Sequence, residues 1–476
     1  MTLLGYKKCQ RWTKNSRTYP VIEAPLDNYD IHIETLIIGA GACGMIAALS
    51  AYEAGQDVLI IEADPVPSGS TALSAGLIPA AGTKLQKNAG INDNPEIFAN
   101  DIRKKAKQEN DFELERVLSE GSAKVIEWLI EQHDLPFSLV EDFDYPGHSE
   151  RRMHGLPSRS GVELINSLRS RIEQLEIPLI CQRRADALYA LDKTVFGARL
   201  RLPDGTFETV SADRVILACN GFGGNRTMVS KHMPEIDRGL WFGHSGNQGD
   251  AVIWGQGLGA STKHLSAYQG HGNVAFPHGI LITWAVIMQG GFQVNISGQR
   301  FWNEAQGYSE AARAVLSQPE GIAWTIFDSK IAKIARQFSD FKDAEAQGAI
   351  VSASTTEELE TKCNLPSGSL ESNILDIPYG GTDRFGREWA NAKLMPSFHA
   401  VKVTGALFHT QGGLDVDPAT ALVRHTSGGC FQNLHAAGGA ACGVSGAGDS
   451  GYLSGNGLLS ASVLGFIAGK SKTTAS

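Results

Sequence analysis

The segment Gly39-Ala-Gly41-Ala-Cys-Gly44 constrains this chain more than any other. It follows the apolar run Thr35-Leu-Ile-Ile and opens an alanine-rich helical stretch. A second apolar run, Asp57-Val-Leu-Ile-Ile, then ends at Glu62, 18 residues beyond the last glycine. Strand, glycine turn, helix and strand make the βαβ unit that binds dinucleotides. Gly39 allows the tight turn, Gly41 lets backbone approach a pyrophosphate, and Gly44 lets helix pack on strand. The helix N-terminus, with Ala42 and Cys43 in the turn, attracts the phosphate charge. Glu62, followed by Ala63, is placed to accept hydrogen bonds from the adenosine ribose.

Both nicotinamide and flavin dinucleotides use such a turn, and the next segment separates them. Ser68-Gly-Ser70-Thr71-Ala-Leu-Ser74-Ala75-Gly76 follows the second strand directly. Its small residues and hydroxyls would bring donors close to a long diphosphate and ribityl chain. A nicotinamide-binding domain would usually enter its next helix at once. FAD is therefore the expected cofactor.

Composition closes other routes. The 42 lysines and arginines are outnumbered by 51 acidic residues, giving a net charge of −9 and no long basic run. Nothing would neutralise a row of phosphates, so nucleic-acid binding is not expected. The longest apolar stretches are too short or too broken by glycine and serine for a membrane span. The N-terminus lacks the apolar core of a signal peptide. Seven scattered cysteines without a C-x-x-C pair fit free thiols in a reducing cytoplasm, and neither a disulfide framework nor a metal site.

The expected organisation is α/β: a Rossmann-like FAD-binding domain with an inserted α+β capping domain. Residues 1–33 read as an irregular extension, and 34–272 as the first part of the FAD domain. Residues 273–400 lose the strand–glycine–helix rhythm and read as the cap; 401–476 complete the FAD domain. Helices are expected over 112–133, 160–175 and 457–469, from apolar residues at helical spacing. Val195–Leu202 and Phe207–Val210 form a hairpin around Pro203-Asp204-Gly205, and Arg214–Asn220 is a separate buried strand.

Taken in order, these segments resemble the FAD-dependent succinate dehydrogenase/fumarate reductase flavoproteins. The glycine turn and the Ser/Gly loop come first. Arg152-x-His154, Val215–Asn225 and Gly249-Asp250 follow, then Gly298–Glu304, His409–Gly413 and Leu453–Gly457. The resemblance implies a cap closing over the flavin, and cofactor contacts from Ala185, Ala218, Cys219, Asn220, Gly221, Asp250, Ser454, Asn456, Gly457 and Leu458. It places Gly439 where the family usually has a glutamate. The Ser68–Gly76 loop has no histidine, the attachment point in respiratory members, so FAD is expected to be non-covalent.

The same resemblance matches His271 and His409 to substrate-clamping histidines and Glu304 to a proton-relay acid. Two matches fail. Ala332 stands where the family's proton-donating arginine falls, with Gly307 at a further relay position, and Tyr452 stands where a carboxylate-binding arginine falls. A tyrosine there resembles instead the 3-ketosteroid Δ1-dehydrogenases and related cyclic-ketone desaturases. In that branch a tyrosine and a backbone N–H, here Tyr452 and Gly455 or Asn456, hold the substrate ketone. Such an oxyanion site makes a C–H beside the carbonyl acidic enough to lose. Tyr308 is the first candidate for the base, ahead of Tyr268 and Tyr145.

The expected reaction is α,β-desaturation of a cyclic ketone, such as an alicyclic ketone or keto acid or a 3-ketosteroid, with the smaller substrates favoured because the steroid branch's Pro-rich terminal motif and extra length are absent. A carboxylate on the substrate would be met by His271, His409 and Arg313. The electron acceptor is a carrier protein, a quinone or oxygen. The alternative is a flavin-dependent reductase of an activated C=C bond. A flavin subunit without turnover and a nicotinamide enzyme stand further off.

Overall fold

In the computed structural model, which describes residues 21–141, 143–390 and 393–471, the run before the glycine turn is the strand Ile31–Ile38. Its inner half, Thr35 to Ile38, is buried. It pairs in parallel with Val58–Ile61 on one side and Phe207–Leu217 on the other. A sheet of nine strands grows from this centre, with Thr194–Arg201 antiparallel to Phe207–Leu217 and Arg184–Leu191 antiparallel to Thr194–Arg201. The expected hairpin forms between Thr194–Arg201 and Phe207–Leu217, and its second arm runs on into the strand expected separately at 214–220, so those two are one strand that ends at Leu217. Ser211-Ala-Asp213 contains no breaker and simply continues the pleat. Val21–Glu23 pairs with Arg184–Leu191, so residues 21–23 belong to the sheet rather than to an irregular extension. Residues 1–20 lie outside the described residues.

The first helix, Ala42–Glu53, is buried from Ala42 to Ala51 and packs on the closing helix, Asn456–Lys470. Glycine makes that packing possible. A Cβ on Gly465 would sit 2.8 Å from the Cys43 carbonyl oxygen, and one on Gly469 2.2 Å from that of Ala47. Buried Arg214 satisfies the closing helix's last carbonyls, donating to Ala468 at 3.0 Å and Gly469 at 2.8 Å. The helices Phe112–Glu131 and Gly161–Gln174 occupy the expected positions, capped by Asp111 and Ser160.

The residues divide into two compact units. One contains the nine-stranded sheet and comprises residues 21–233, 243–268 and 409–471. The other comprises Pro234–Phe242 and Gln269–Phe408. The inserted unit thus runs eight residues past the expected boundary at 400, and recruits a short earlier segment. The reason is strand Phe398–Thr410, which forms the spine of the inserted unit's own seven-stranded sheet. It pairs with Ile322–Asp328, Ile350–Ala353 and, in parallel, Leu240–Trp241.

Candidate flavin and substrate sites

The glycine turn has the local geometry that its sequence demands. Gly39 has φ +109°, and a Cβ there would lie 2.6 Å from the Ala218 carbonyl oxygen. A Cβ on Gly44 would lie 1.9 Å from the Gly39 oxygen. Gly41 differs: its Cβ would meet only Thr71 Oγ1, at 3.7 Å. The first helix has neither a side-chain cap nor an acid in its first turn, which leaves its N-terminus open toward an anion. Thr71 Oγ1 accepts the Ala42 N–H at 3.1 Å and ties the Ser/Gly loop to that end.

Glu62 stands at the strand end and accepts from the backbone N–H groups of Ala40 (2.8 Å) and Asp64 (3.0 Å). Its first task is therefore to join the glycine turn to the second strand. Ala63 and Ala75 are exposed. Ser74 donates to the Thr71 carbonyl and accepts from Gly76 N–H, so its hydroxyl shapes the loop.

Ser70 is held differently. Its Oγ accepts from Asn220 Nδ2 at 3.0 Å and from Asn247 Nδ2 at 2.8 Å. With two amides donating to it, its own O–H is turned outward as a donor. Asn247 was not singled out in the sequence; its only signal is the polar Ser245–Gly249 loop before Asp250. Asn220, at φ +65°, also accepts the Gly221 N–H, and a Cβ on Gly439 would fall 2.1 Å from its Oδ1. The Asn220 amide thus fills the space a glutamate at 439 would need. Asp250 accepts from Arg184 at 2.7 Å beside Ala185. Burial pushes the Cys43 and Cys219 thiols up to about 12, Asp250 adding to the second, so neither is a thiolate.

The start of the closing helix carries the second group of polar atoms. Asn456 Nδ2 donates to Ser445 Oγ (3.2 Å), Ser445 to Gln411 Oε1 (2.8 Å), and Gln411 Nε2 to His409 Nδ1 (2.9 Å). Nδ1 also lies 3.1 Å from the Thr410 oxygen. We assign it as the acceptor from Gln411, whose amide is fixed by Ser445, so the ring proton is on Nε2. The His409 ring lies against Gly457, where a Cβ would sit 2.9 Å from Cε1. Half-buried Leu458 follows in the same turn. Fully buried Asn456 Oδ1 has no protein partner, and neither does Ser460 Oγ. Orphaned acceptors at an uncapped helix N-terminus fit the polar edge of a flavin, as the Gly41 opening fits its diphosphate.

Tyr452 precedes this turn, is 6% exposed, and stands edge-on to His409 at 5.5 Å. The backbone N–H groups of Gly455 and Gly457 hydrogen-bond to its hydroxyl, and burial raises its pKa. Burial pushes His409 down to about 4. No charged group perturbs either residue.

In the inserted unit, His271 lies between two rings, 5.0 Å from Tyr308 and 5.3 Å from Phe408, with Trp284 edge-on at 5.7 Å. Its Nδ1 accepts the Asn273 N–H at 3.2 Å, leaving the proton on Nε2. Burial alone pushes it down to about 3. Arg313 shares the helix Tyr308–Leu316 but is exposed, and five residues turn it about 140° from Tyr308. The structure does not bring Arg313 to this stack. Glu304 is fully buried in a knot of its own. It accepts from Arg300 Nη2 (2.7 Å), Arg387 Nη1 (3.1 Å) and Gln293 N (3.1 Å), while Arg300 also reaches Asp383 (2.8 Å). A carboxylate so held is an ion that braces the two arginines of the inserted unit.

Comparison with known proteins agrees with this architecture. An FAD binding domain model matches residues 34–458. The chain belongs to that family, within the succinate dehydrogenase/fumarate reductase flavoproteins. It is 30% identical over 446 residues to a probable fumarate reductase, Ifc3, of Shewanella frigidimarina, covering 92% of this chain and 74% of that one. A solved flavocytochrome c3 fumarate reductase superposes with TM-score 0.79 at 29% identity, covering 93% and 78% of the two chains. The 3-ketosteroid-Δ4-(5α)-dehydrogenase of Rhodococcus jostii RHA1, solved with 4-androstene-3,17-dione, gives TM-score 0.76 at 26% identity over 95% and 99%. The protein is an FAD-dependent oxidoreductase acting on carbon–carbon bonds. Among the described residues no helix is long and apolar enough to cross a membrane, and no cluster of metal-ligating side chains occurs.

Proposed function

We propose that the protein desaturates an alicyclic ketone at its α,β-carbons. One observation carries the reading: Tyr452 and His409, both in the flavin-binding unit, are buried, and no charged group acts on either. A dicarboxylate would find a neutral imidazole and a phenol there in place of cations. A ketone oxygen needs only neutral donors. The Tyr452 O–H and the Gly455 N–H would stabilise the enolate oxygen that develops as the α-proton leaves. Tyr452 remains protonated through any working pH, as a donor must. His409 presents an Nε2–H donor of the same neutral kind. Bound FAD supplies the two-electron acceptor for the β-hydrogen. The Ser/Gly loop, Ser70 and the Asn456 turn would hold it without a covalent bond, and acid precipitation is expected to release it into the supernatant.

The second reading is reduction of an activated C=C bond, favoured by the 30% identity to a probable fumarate reductase and by 29% identity over 332 residues to a urocanate reductase of Eggerthella lenta. Tyr452 would then deliver the proton. Anaerobic mixing separates the two. Bleaching of the oxidised flavin absorbance by a saturated cyclic ketone, lost in Tyr452→Phe, is the outcome for a desaturase. If no ketone bleaches it, while an enone or unsaturated acid reoxidises chemically reduced protein, the reductase reading replaces it.

A further inference from the structure

A buried ion group lies behind the Tyr452 turn. Arg152 is fully buried and binds Asp93 through Nε at 2.9 Å and Nη2 at 3.0 Å, and Asp101 through Nη1. The same Nη1 stands 3.1 Å from His148 Nδ1. A guanidinium cannot accept a hydrogen bond, so Nδ1 must. That leaves the ring proton of His148 on Nε2, which lies 2.9 Å from the Ser454 carbonyl oxygen. The loop is seated as well as bonded. A Cβ on Gly147 would touch Leu453 Cδ1 at 2.7 Å, and Ser149 binds Asp101 through both its N–H and its hydroxyl at 2.8 Å.

The Ser454 carbonyl and the Gly455 N–H are two ends of one peptide group. A donor on the oxygen draws electron density from the nitrogen and makes its N–H a stronger donor. We propose that His148, oriented by Arg152, is a positioning residue that polarises the Ser454–Gly455 peptide and aims its N–H at the Tyr452 hydroxyl and the substrate oxygen. The aspartates Asp93 and Asp101 keep Arg152 in place, and Arg152 keeps the His148 proton on the side facing Ser454. The part of this concerning substrate rests on the ketone reading above; the part concerning the peptide does not.

The test uses the FAD-loaded full chain. In the wild type, ¹⁵N-histidine resonances should show His148 as the neutral Nε2–H tautomer at pH 7. The Nδ1–H tautomer, or a charged ring, overturns the proposal. Labelling serine carbonyl carbons and glycine nitrogens narrows the signals to the nine Ser-Gly steps of the chain, and the Ser454→Ala variant identifies the Ser454–Gly455 pair among them. In His148→Leu both resonances should move toward their unbonded values. In His148→Gln, whose amide can accept from Arg152 and donate to Ser454, they should return. No movement in the first variant, or no return in the second despite full FAD content, overturns the proposal as well. With cyclohexanone as probe, the bleaching rate should fall roughly tenfold in His148→Leu at nearly unchanged half-saturation. If the wild type is not bleached by any ketone, the desaturase reading fails, while the resonance measurements still decide the role of His148.

Discussion

Each of the two units buries an arginine–carboxylate cluster, and the two arrangements end differently. In the inserted unit, Arg300, Glu304, Asp383 and Arg387 close on one another. Arg387 spends its remaining donors on the carbonyls of Gly291 and Ile287. In the flavin-binding unit, Arg152 is balanced by Asp93 and Asp101, yet one of its donors reaches His148, and His148 reaches Ser454. A closed knot rigidifies what surrounds it. An open one passes its orientation on to a backbone group beside the candidate site. Motif matching alone weights Glu304 above His148; the destination of the hydrogen bonds reverses that weight.

The contrast is broken most forcefully at Glu304. Glu304→Leu strands the buried Arg387 guanidinium, leaves Arg300 with Asp383 alone, and should cost about 3–5 kcal/mol in urea unfolding. Unchanged stability with lost turnover would instead return Glu304 to catalysis. On the open side, Tyr452→Phe should slow ketone bleaching by about 10²-fold, or ~3 kcal/mol, with FAD content intact. A loss of FAD in that variant would mean that Tyr452 supports the cofactor and not the substrate.

A smaller effect sharpens the comparison within the flavin-binding unit. Gly439→Ala drives a methyl group into Asn220, and overpacking of about 1–3 kcal/mol should appear as faster FAD loss on dilution. The inserted unit's unfolding should not change.

The last effect is set by pH and concerns the histidines of both units. His154 is held down to about 4, and His271 and His435 to about 3, by burial. Their unfolded forms take up protons below about pH 6.5, which the native forms refuse until near pH 4 or 3. Stability should therefore fall with decreasing pH from about 6.5, by about 1.4 kcal/mol per pH unit for each such histidine. His271→Phe should remove one histidine's share of that slope, measured by urea midpoints between pH 4 and 7. His244, raised by its hydrogen bond with Asp64, runs the other way and gives up its contribution as pH rises through its pKa.

The flavin cradle was legible because its requirements are local. Gly39 is set by its positive φ, Gly44 by its contact with the Gly39 oxygen and Gly41 by the helix N-terminus beside it, all within six residues. The helices expected over 112–133 and 160–175 were legible from apolar periodicity; their caps, Asp111 and Ser160, come from the structure. Gly439 was visible only as a departure from a family pattern; the amide of Asn220 supplies its cause.

The sequence by itself determined the βαβ cradle, the FAD class and the inserted-unit plan, because turn sterics and apolar periodicity act between near neighbours. Only the tertiary structure decided which polar residues are ions, which are neutral donors and which merely hold others. Glu304 meets Arg387 across 83 positions, and His148 meets Ser454 across 306. Whether a carboxylate is saturated, or an imidazole keeps its proton on Nε2, depends on partners and on burial that only folding brings together.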